Sequence, residues 1–187
     1  MKIAGISGSP RKNQNSEKLI EMTLAIAEGR DFETDRIFLS ERTIAPCTAC
    51  DVCKDAKRCA IDDDMTRIYP ALEDADAILV ASPVYFGCMS AQLKALFDRT
   101  RLSRRHGFAL SGKIGGAIAV GGSRNGGQEK TVQAIHDWMH IHGMIVVGDN
   151  NHFGGIVHAP VESDEIGMQT ALDTINKICD VLEMIRR

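Results

Sequence analysis

The chain has 187 residues, 44% of them hydrophobic, and a formal net charge of −3, which suits one globular domain with its own core. The mildly acidic balance excludes the basic excess of a nucleic-acid binder, and no apolar run approaches the ~20 residues that a membrane span requires. No targeting segment precedes the first apolar stretch, so a soluble cytoplasmic protein is the expectation.

In chain order, residues 2–7 read as a short buried strand and residues 8–16 as a polar loop. Glu17 to Glu28 then has helical periodicity through Leu19, Ile20, Leu24 and Ala27. A loop of hydroxyls, amides and an arginine entering a helix N-terminus is suited to phosphate, because backbone N–H groups and the positive dipole end face the anion. Ser7, Ser9 and Ser16 offer hydroxyls, and Arg11 offers a bidentate guanidinium; Ser16 is also a candidate helix cap. Neither G-x-x-x-x-G-K-[ST] nor G-x-G-x-x-G is present, so neither an NTP loop nor a dinucleotide loop is supported.

Residues 34–39 predict a second strand, with Ile37 and Leu39 on one side and Phe38 on the other. From its end leaves an insert, residues 45–61, that carries Cys47, Cys50, Cys53 and Cys59 at C-x2-C-x2-C-x5-C spacing. Four thiolates in so short a run can converge on one [4Fe–4S] cluster, the first three wrapping one face and the fourth reached by a polar loop. Lys54, Lys57 and Arg58 are placed to oppose the thiolate charge. Structural zinc is the main alternative, although zinc sites more often pair two C-x2-C knuckles across a longer gap; thiol redox chemistry is another.

Asp62, Asp63 and Asp64 are expected in the first turn of a helix through Leu72 that Pro70 kinks or splits. Residues 76–81 form the clearest strand, a near-continuous apolar run typical of the middle of a parallel sheet. It ends in Pro83-Val84-Tyr85-Phe86-Gly87, a segment that offers backbone N–H groups, aromatics and a glycine to a flat heteroaromatic ring such as a flavin. A helix over 90–102 has a basic tail, Arg99, Arg101, Arg104 and Arg105, which either complements its dipole or offers a docking surface to an acidic electron-transfer protein. A strand at 113–120 leads into Gly121-Gly122-Ser123-Arg124-Asn125-Gly126-Gly127, where the glycines let the backbone lie against a ligand. A helix at 128–141, a strand at 144–147, an irregular stretch at 148–161 and a helix at 164–187 complete the chain. His136, His140 and His142 lack an accompanying acid or thiol and are not assigned to metal, and Cys88 and Cys179 are read as structural. Five β-α units imply a doubly wound parallel α/β sheet of order 2-1-3-4-5 in one domain, 1–187.

These motifs together resemble the iron–sulfur flavoproteins of anaerobic archaea and bacteria, a branch of the flavodoxin-like, NADPH-dependent FMN reductase superfamily. The resemblance spans nearly the whole chain and rests on Gly5 to Arg11 with Asn15-Ser16, on Ser82 to Gly87, on Leu93-Lys94-x3-Asp98-Arg99, on Gly121 to Gly127 and on the compact cysteine run. It implies that Ser9, Arg11, Asn15 and Ser16 hold the FMN phosphate, that Pro83, Val84, Tyr85, Phe86 and Gly87 line the isoalloxazine, and that Gly121, Gly122, Ser123, Gly126 and Gly127 close over it. It also implies a homotetramer.

The expected activity is that of an electron-transfer oxidoreductase, receiving single electrons from a carrier such as ferredoxin and reducing an acceptor, with no side chain needed as acid or base. The alternatives are an NAD(P)H-dependent FMN or quinone reductase with a zinc-bound or vestigial cysteine loop, and a non-enzymatic redox sensor.

Overall fold

The three-dimensional structure is a computed structural model and describes residues 1–186. Its strands are β1 (Lys2–Ser7), β2 (Glu33–Phe38), β3 (Ala77–Pro83), β4 (Ile114–Gly121), β5 (Ile145–Val146) and β6 (Gly155–His158). Its helices are α1 (Asn15–Glu28), α2 (Val52–Asp55), α3 (Met65–Asp74), α4 (Ala91–Arg99), α5 (Arg101–Arg105), α6 (Gln128–Ile141) and α7 (Glu165–Arg186). All strand pairs are parallel, in the order β2-β1-β3-β4-β5 expected from the sequence, and β6 is added beside β4.

Alternation along the strands splits the interior in two. Ile3, Ala77, Leu79 and Ala81 face α1 and α7 together with Leu19, Ile20, Leu24, Ile175 and Ile178. Ala4, Ile6, Ile78 and Val80 face the other way, toward Leu72, Leu93, Leu96, Ile135 and Met139 of α3, α4 and α6. Every residue of β3 and β4 is buried, as a sheet covered on both faces requires. Ile37 and Leu39 join the second face and Phe38 the first, as their alternation predicts.

The fifth position of the sheet departs from the expectation. β5 has two residues and pairs only with the start of β4, Ile114↔Ile145 and Gly115↔Val146; the chain then leaves the sheet and returns as β6 beside the end of β4, from Ile118↔Gly155 to Gly121↔His158. The polar Asp149 to His152 segment interrupts one strand position, so the 148–161 stretch read as irregular contains a strand. Two helix limits also differ. The 62–72 helix begins only at Met65, and Pro70 lies inside a single continuous helix without splitting it. The 90–102 helix is two pieces, α4 and α5, joined at Thr100. The last residue of the 164–187 helix, Arg187, lies outside the described residues. Among the described residues, no helix is long and apolar enough to cross a membrane.

His136 and His142 are buried rather than displayed. Thr100 Oγ1 donates to the Phe97 carbonyl at 2.6 Å and accepts Trp138 Nε1–H at 2.9 Å, so His142 Nε2, also 2.9 Å away, is the donor of its pair. His142 Nδ1 is then a buried acceptor with no partner among the described residues. Burial pushes both imidazoles down to about 4. Because these folded values lie below the ordinary value of 6.5, the unfolded chain binds more protons between them. The stability each neutral ring contributes is complete above pH ~6.5 and lost as pH falls toward 4, about 2–3 kcal/mol each at full extent. Urea unfolding at pH 7.5 and pH 5 should therefore give a lower midpoint at pH 5, and His136→Gln should reduce that difference. A midpoint unchanged between the two pH values would contradict the neutral, buried assignment.

Candidate functional site

The carboxyl ends of β1, β3, β4 and β6 lie side by side, and the connections leaving them build one cleft. Ser9, Arg11, Asn15, Ser16, Pro83, Val84, Tyr85, Gly121 and Gly122 all line it, so the first and second expected loops meet at the entry of the third. Phe86, Gly87, Ser123, Gly126 and Gly127 do not line its walls, although Gly127 packs against Gly87 and Val84 beside them. Gln14, Val120 and Ala159 complete the lining and were not foreseen; Ala159 arrives because its N–H bonds Gly121 O at 2.8 Å, a consequence of β6.

The geometry of each wall has a local cause. Gly8 N–H donates to Ala81 O at 2.7 Å and Ser90 Oγ donates to Gly8 O at 2.5 Å, which fixes the start of the first loop against β3 and the N-terminus of α4. Ser9 Oγ accepts Arg11 N–H at 3.1 Å and turns that loop back. Glu17, buried in the first turn of α1, accepts from Asn13 N–H and the Ser40 hydroxyl, so its carboxylate is occupied away from the cleft. Ser16 is not the cap of α1: the cap position is Gln14, whose side chain makes no capping bond. Side-chain capping therefore leaves the first-turn amides of this 14-residue helix free at the cleft, the arrangement that suits a phosphate.

On the opposite wall, Tyr85 and Cys88 exchange backbone hydrogen bonds of 2.8 and 3.2 Å across Phe86 (φ +49°) and Gly87 (φ +78°). This tight turn leaves Phe86 fully exposed and Tyr85 partly so. Gly127 (φ +108°) backs onto it, and a Cβ there would lie 3.0 Å from Gly87 Cα. The glycine-rich loop is thus packed against the aromatic turn, and a flat ring entering between Pro83–Tyr85 and Gly121–Gly122 would meet backbone on one side and a phenol on the other. The residues present fit FMN.

The four cysteines of the insert surround one cavity whose far wall is Asp98, Arg99, Arg101 and Leu102 of α4 and α5. Two non-glycine residues with positive φ, Ala49 (53°) and Asp51 (62°), wind the segment tightly before α2. Cys53 and Cys59 pack against the core, Cys47 is half-buried and Cys50 is exposed. N–H groups already address the sulfurs: Ala49 N–H to Cys47 Sγ at 3.4 Å and Arg105 Nη1 to Cys53 Sγ at 3.4 Å. The Val52 N–H lowers the Cys50 thiol from its ordinary value. Among the described residues no three Cys, His, Asp or Glu side chains stand close enough to share a single metal ion. Four thiol sulfurs around one cavity are the donor chemistry of an iron–sulfur cluster.

The charges around this cavity differ from the sequence reading. Lys57 and Arg58 line a separate hollow with Tyr69 and His106, behind Cys59. The cations facing the sulfurs come instead from α4 and α5, because Arg101 and Arg105 both reach Asp51, at 2.8 and 3.1 Å. His106 Nε2 braces the insert from below, 2.9 Å from Cys53 O and 3.2 Å from Ala56 O. Arg99 is buried against Asp63, and Arg104 donates to Ile141 O while its guanidinium lies over Phe108. Of the basic tail only Arg99 is buried; Arg101, Arg104 and Arg105 keep solvent-exposed surface. Asp63 and Asp64 stand just ahead of α3 rather than in its first turn, and besides the Met65 N–H, which Asp63 accepts, they accept the N–H groups of Ala45 and Thr43 at 2.9 and 2.7 Å and pin the start of the insert. Cys179 is buried, its thiol pushed up to about 11 by burial, whereas Cys88 is exposed beside the aromatic turn.

The sequence profile described as NADPH-dependent FMN reductase matches residues 1–156. An iron–sulfur flavoprotein of Methanosarcina thermophila is 62% identical over 187 residues, covering 100% of this chain and 98% of that protein. One from Methanocaldococcus jannaschii is 47% identical and covers 100% of both. Among solved structures, an NADH:FMN oxidoreductase superposes with a TM-score of 0.71 at 22% identity, covering 96% of this chain and 89% of that one. A WrbA-like flavodoxin from Agrobacterium tumefaciens gives 0.69 at 18%, covering 98% and 97%; at such identities these two speak for the fold. Identity at the level of the first two, over their full length, places the chain in the iron–sulfur flavoproteins, within the NADPH-dependent FMN reductase family of flavin-dependent oxidoreductases.

Proposed function

We propose that this chain is an electron-transfer oxidoreductase that holds FMN in the sheet-edge cleft and a [4Fe–4S] cluster on Cys47, Cys50, Cys53 and Cys59. In this reading it takes single electrons from a carrier such as ferredoxin, delivers them to a small oxidised acceptor and works as a homotetramer. When bound, the cluster supplies one-electron exchange and the flavin both one- and two-electron exchange. The observation that carries the reading is the convergence of all four cysteines on one cavity with backbone and guanidinium N–H groups directed at their sulfurs.

The chain's own residues bind and orient. Ser9, Arg11 and the open first turn of α1 receive the phosphate, Asn15 bridges to Val161 through its Oδ1 while bordering the cleft, and Pro83 to Tyr85 with Gly121 and Gly122 set the ring plane. No side chain at the cleft is assigned an acid or base role. A groove lined by Phe97 and Trp138, whose rings stack at 4.1 Å, runs from Cys88 and Met89 beside the aromatic turn to Asp98 and Arg101 beside the cysteines. It joins the neighbourhoods of the two sites on one surface.

A second reading, hydride transfer from NAD(P)H, is favoured by membership of the NADPH-dependent FMN reductase family. Anaerobic purification followed by iron, sulfide, zinc and flavin analysis separates the two, together with addition of reduced ferredoxin or NAD(P)H to the oxidised protein. About four irons and four sulfides per FMN, with flavin bleaching by the one-electron carrier, would support the proposal. One zinc per chain with bleaching by NAD(P)H alone would replace it with the second reading.

A further inference from the structure

Arg99 ends α4 deep inside the protein, with its side chain 1% exposed. Its two terminal nitrogens are fully engaged. Nη1 donates to Ala45 O at 2.8 Å and to Asp63 Oδ2 at 2.7 Å, while Nη2 donates to Ile61 O at 3.3 Å and to Asp63 Oδ1 at 3.0 Å. Ala45 and Ile61 are the first and last residues of the cysteine insert, so one guanidinium closes the insert at its base. Asp63 completes the knot by accepting the Ala45 and Met65 N–H groups at 2.9 and 3.1 Å. Burial opposes ionisation of this carboxyl, yet the guanidinium and the two amides outweigh it and hold the group below its ordinary value.

Four of the five guanidinium N–H groups are thus accounted for. The fifth, on Nε, is buried and has no partner among the described residues. Leaving a charged donor unsatisfied inside a protein is costly, and such groups in native structures call for an explanation. The same side chain forms the wall of the cavity that the four cysteine sulfurs surround. An anionic acceptor in that cavity would complete the guanidinium, and a thiolate-ligated cluster is such an acceptor.

We infer that Arg99 is a positioning residue of the cluster site: it fastens both ends of the cysteine insert and gives its Nε–H, with its fixed positive charge, to the cluster sulfurs, raising the cluster's reduction potential. This rests on the cluster reading above. The reduced cluster carries one more negative charge than the oxidised one, so a cation at the wall favours reduction, and hydrogen bonds to sulfur act in the same direction. Asp63 opposes this from behind the guanidinium.

The pair gives a test that a merely structural clamp would not pass. Arg99→Gln leaves a buried carboxylate unopposed, whereas Asp63→Asn leaves a buried guanidinium unopposed; both loosen the same knot, yet the charges they leave have opposite signs. In the anaerobic holoprotein, redox titration followed by electron paramagnetic resonance should show R99Q lowering and D63N raising the equilibrium constant for cluster reduction. Each change should be about tenfold, which corresponds to about 59 mV for one electron. Arg99→Lys, which keeps the cation, should stay within about threefold of wild type. Shifts in the same direction, or no shift in variants that keep their iron, would overturn the inference while leaving the cluster reading intact. If R99Q loses its iron, D63N decides alone, an upward shift supporting the role and any other result overturning it. If both lose iron, R99K must retain iron and potential for the role to stand. Wild-type protein without iron and sulfide would overturn the cluster reading and this inference together.

Discussion

Cys50→Ala is expected to yield a folded flavoprotein that holds less than one iron per chain, against about four in the wild type. Cys50 is the most suitable cysteine for this test because it is exposed, whereas Cys53 and Cys59 pack against the core and their loss would confound cluster loss with unfolding. The insert keeps its base without Cys50, since Arg99, Asp63 and Asp64 bind its ends independently of any sulfur. The change to the iron-free protein's stability should therefore stay within about 0.5 kcal/mol, as for surface substitutions away from special features. FMN should be retained, because Cys50 borders neither wall of the cleft. The measurement is iron, acid-labile sulfide and FMN per chain after anaerobic gel filtration, with Cys88→Ser as the control that keeps its iron. A full iron complement in C50A would remove the insert as the cluster site.

The sheet was legible in the sequence because its strands are buried on both faces. The run Ala77 to Ala81 and the run Ile114 to Val120 are apolar without interruption, and no other local structure accounts for such short apolar segments between helical periodicities. The cysteine insert was legible for a different reason, since ligands that lie within one short segment declare their geometry by spacing. What failed to show were the features made by residues remote in sequence. Arg99 meets Asp63 across 36 positions and Arg105 meets Cys53 across 52, so nothing local shows that Arg99, Arg101 and Arg105 each pair with an aspartate that folds back to them. The same remoteness hid the duty of the Asp62 to Asp64 run. Acids before a helix suit its dipole, and nothing local distinguishes that from pinning a loop whose start is Ala45. β6 escaped notice because it is four residues long and its partner is the far half of β4. With it went Ala159, which the pairing carries to the cleft.

Gly121→Ala and Gly122→Ala, neighbours in the same loop, are expected to differ sharply. A Cβ on Gly122 meets nothing within 4 Å, and its φ lies outside the region where side chains are strained, so G122A should change stability by no more than about 0.5 kcal/mol. A Cβ on Gly121 would lie 2.3 Å from Gln128 Nε2 and 2.5 Å from its Cδ. The Gln128 amide has no room to retreat without loss, because it is buried and its Nε2 donates to Ser123 O at 2.7 Å and to Val157 O at 3.3 Å. Those two bonds tie the glycine-rich loop to β6. Breaking them and overpacking the site should together cost about 2–4 kcal/mol. Since Gly121 also borders the cleft and bonds Ala159 through its carbonyl, G121A should weaken FMN at least tenfold, about 1.4 kcal/mol. G122A should bind FMN within about threefold of wild type. Urea unfolding and fluorescence titration of the flavin-free proteins measure both quantities. Equal effects from the two substitutions would mean that the loop is held by something other than Gln128. The sequence presents four glycines in this loop as equivalent freedom for the backbone; the structure gives each a different setting, with a positive φ at Gly127, a crowded amide at Gly121, the Ser123 carbonyl 3.0 Å from a Cβ at Gly126 and open space at Gly122.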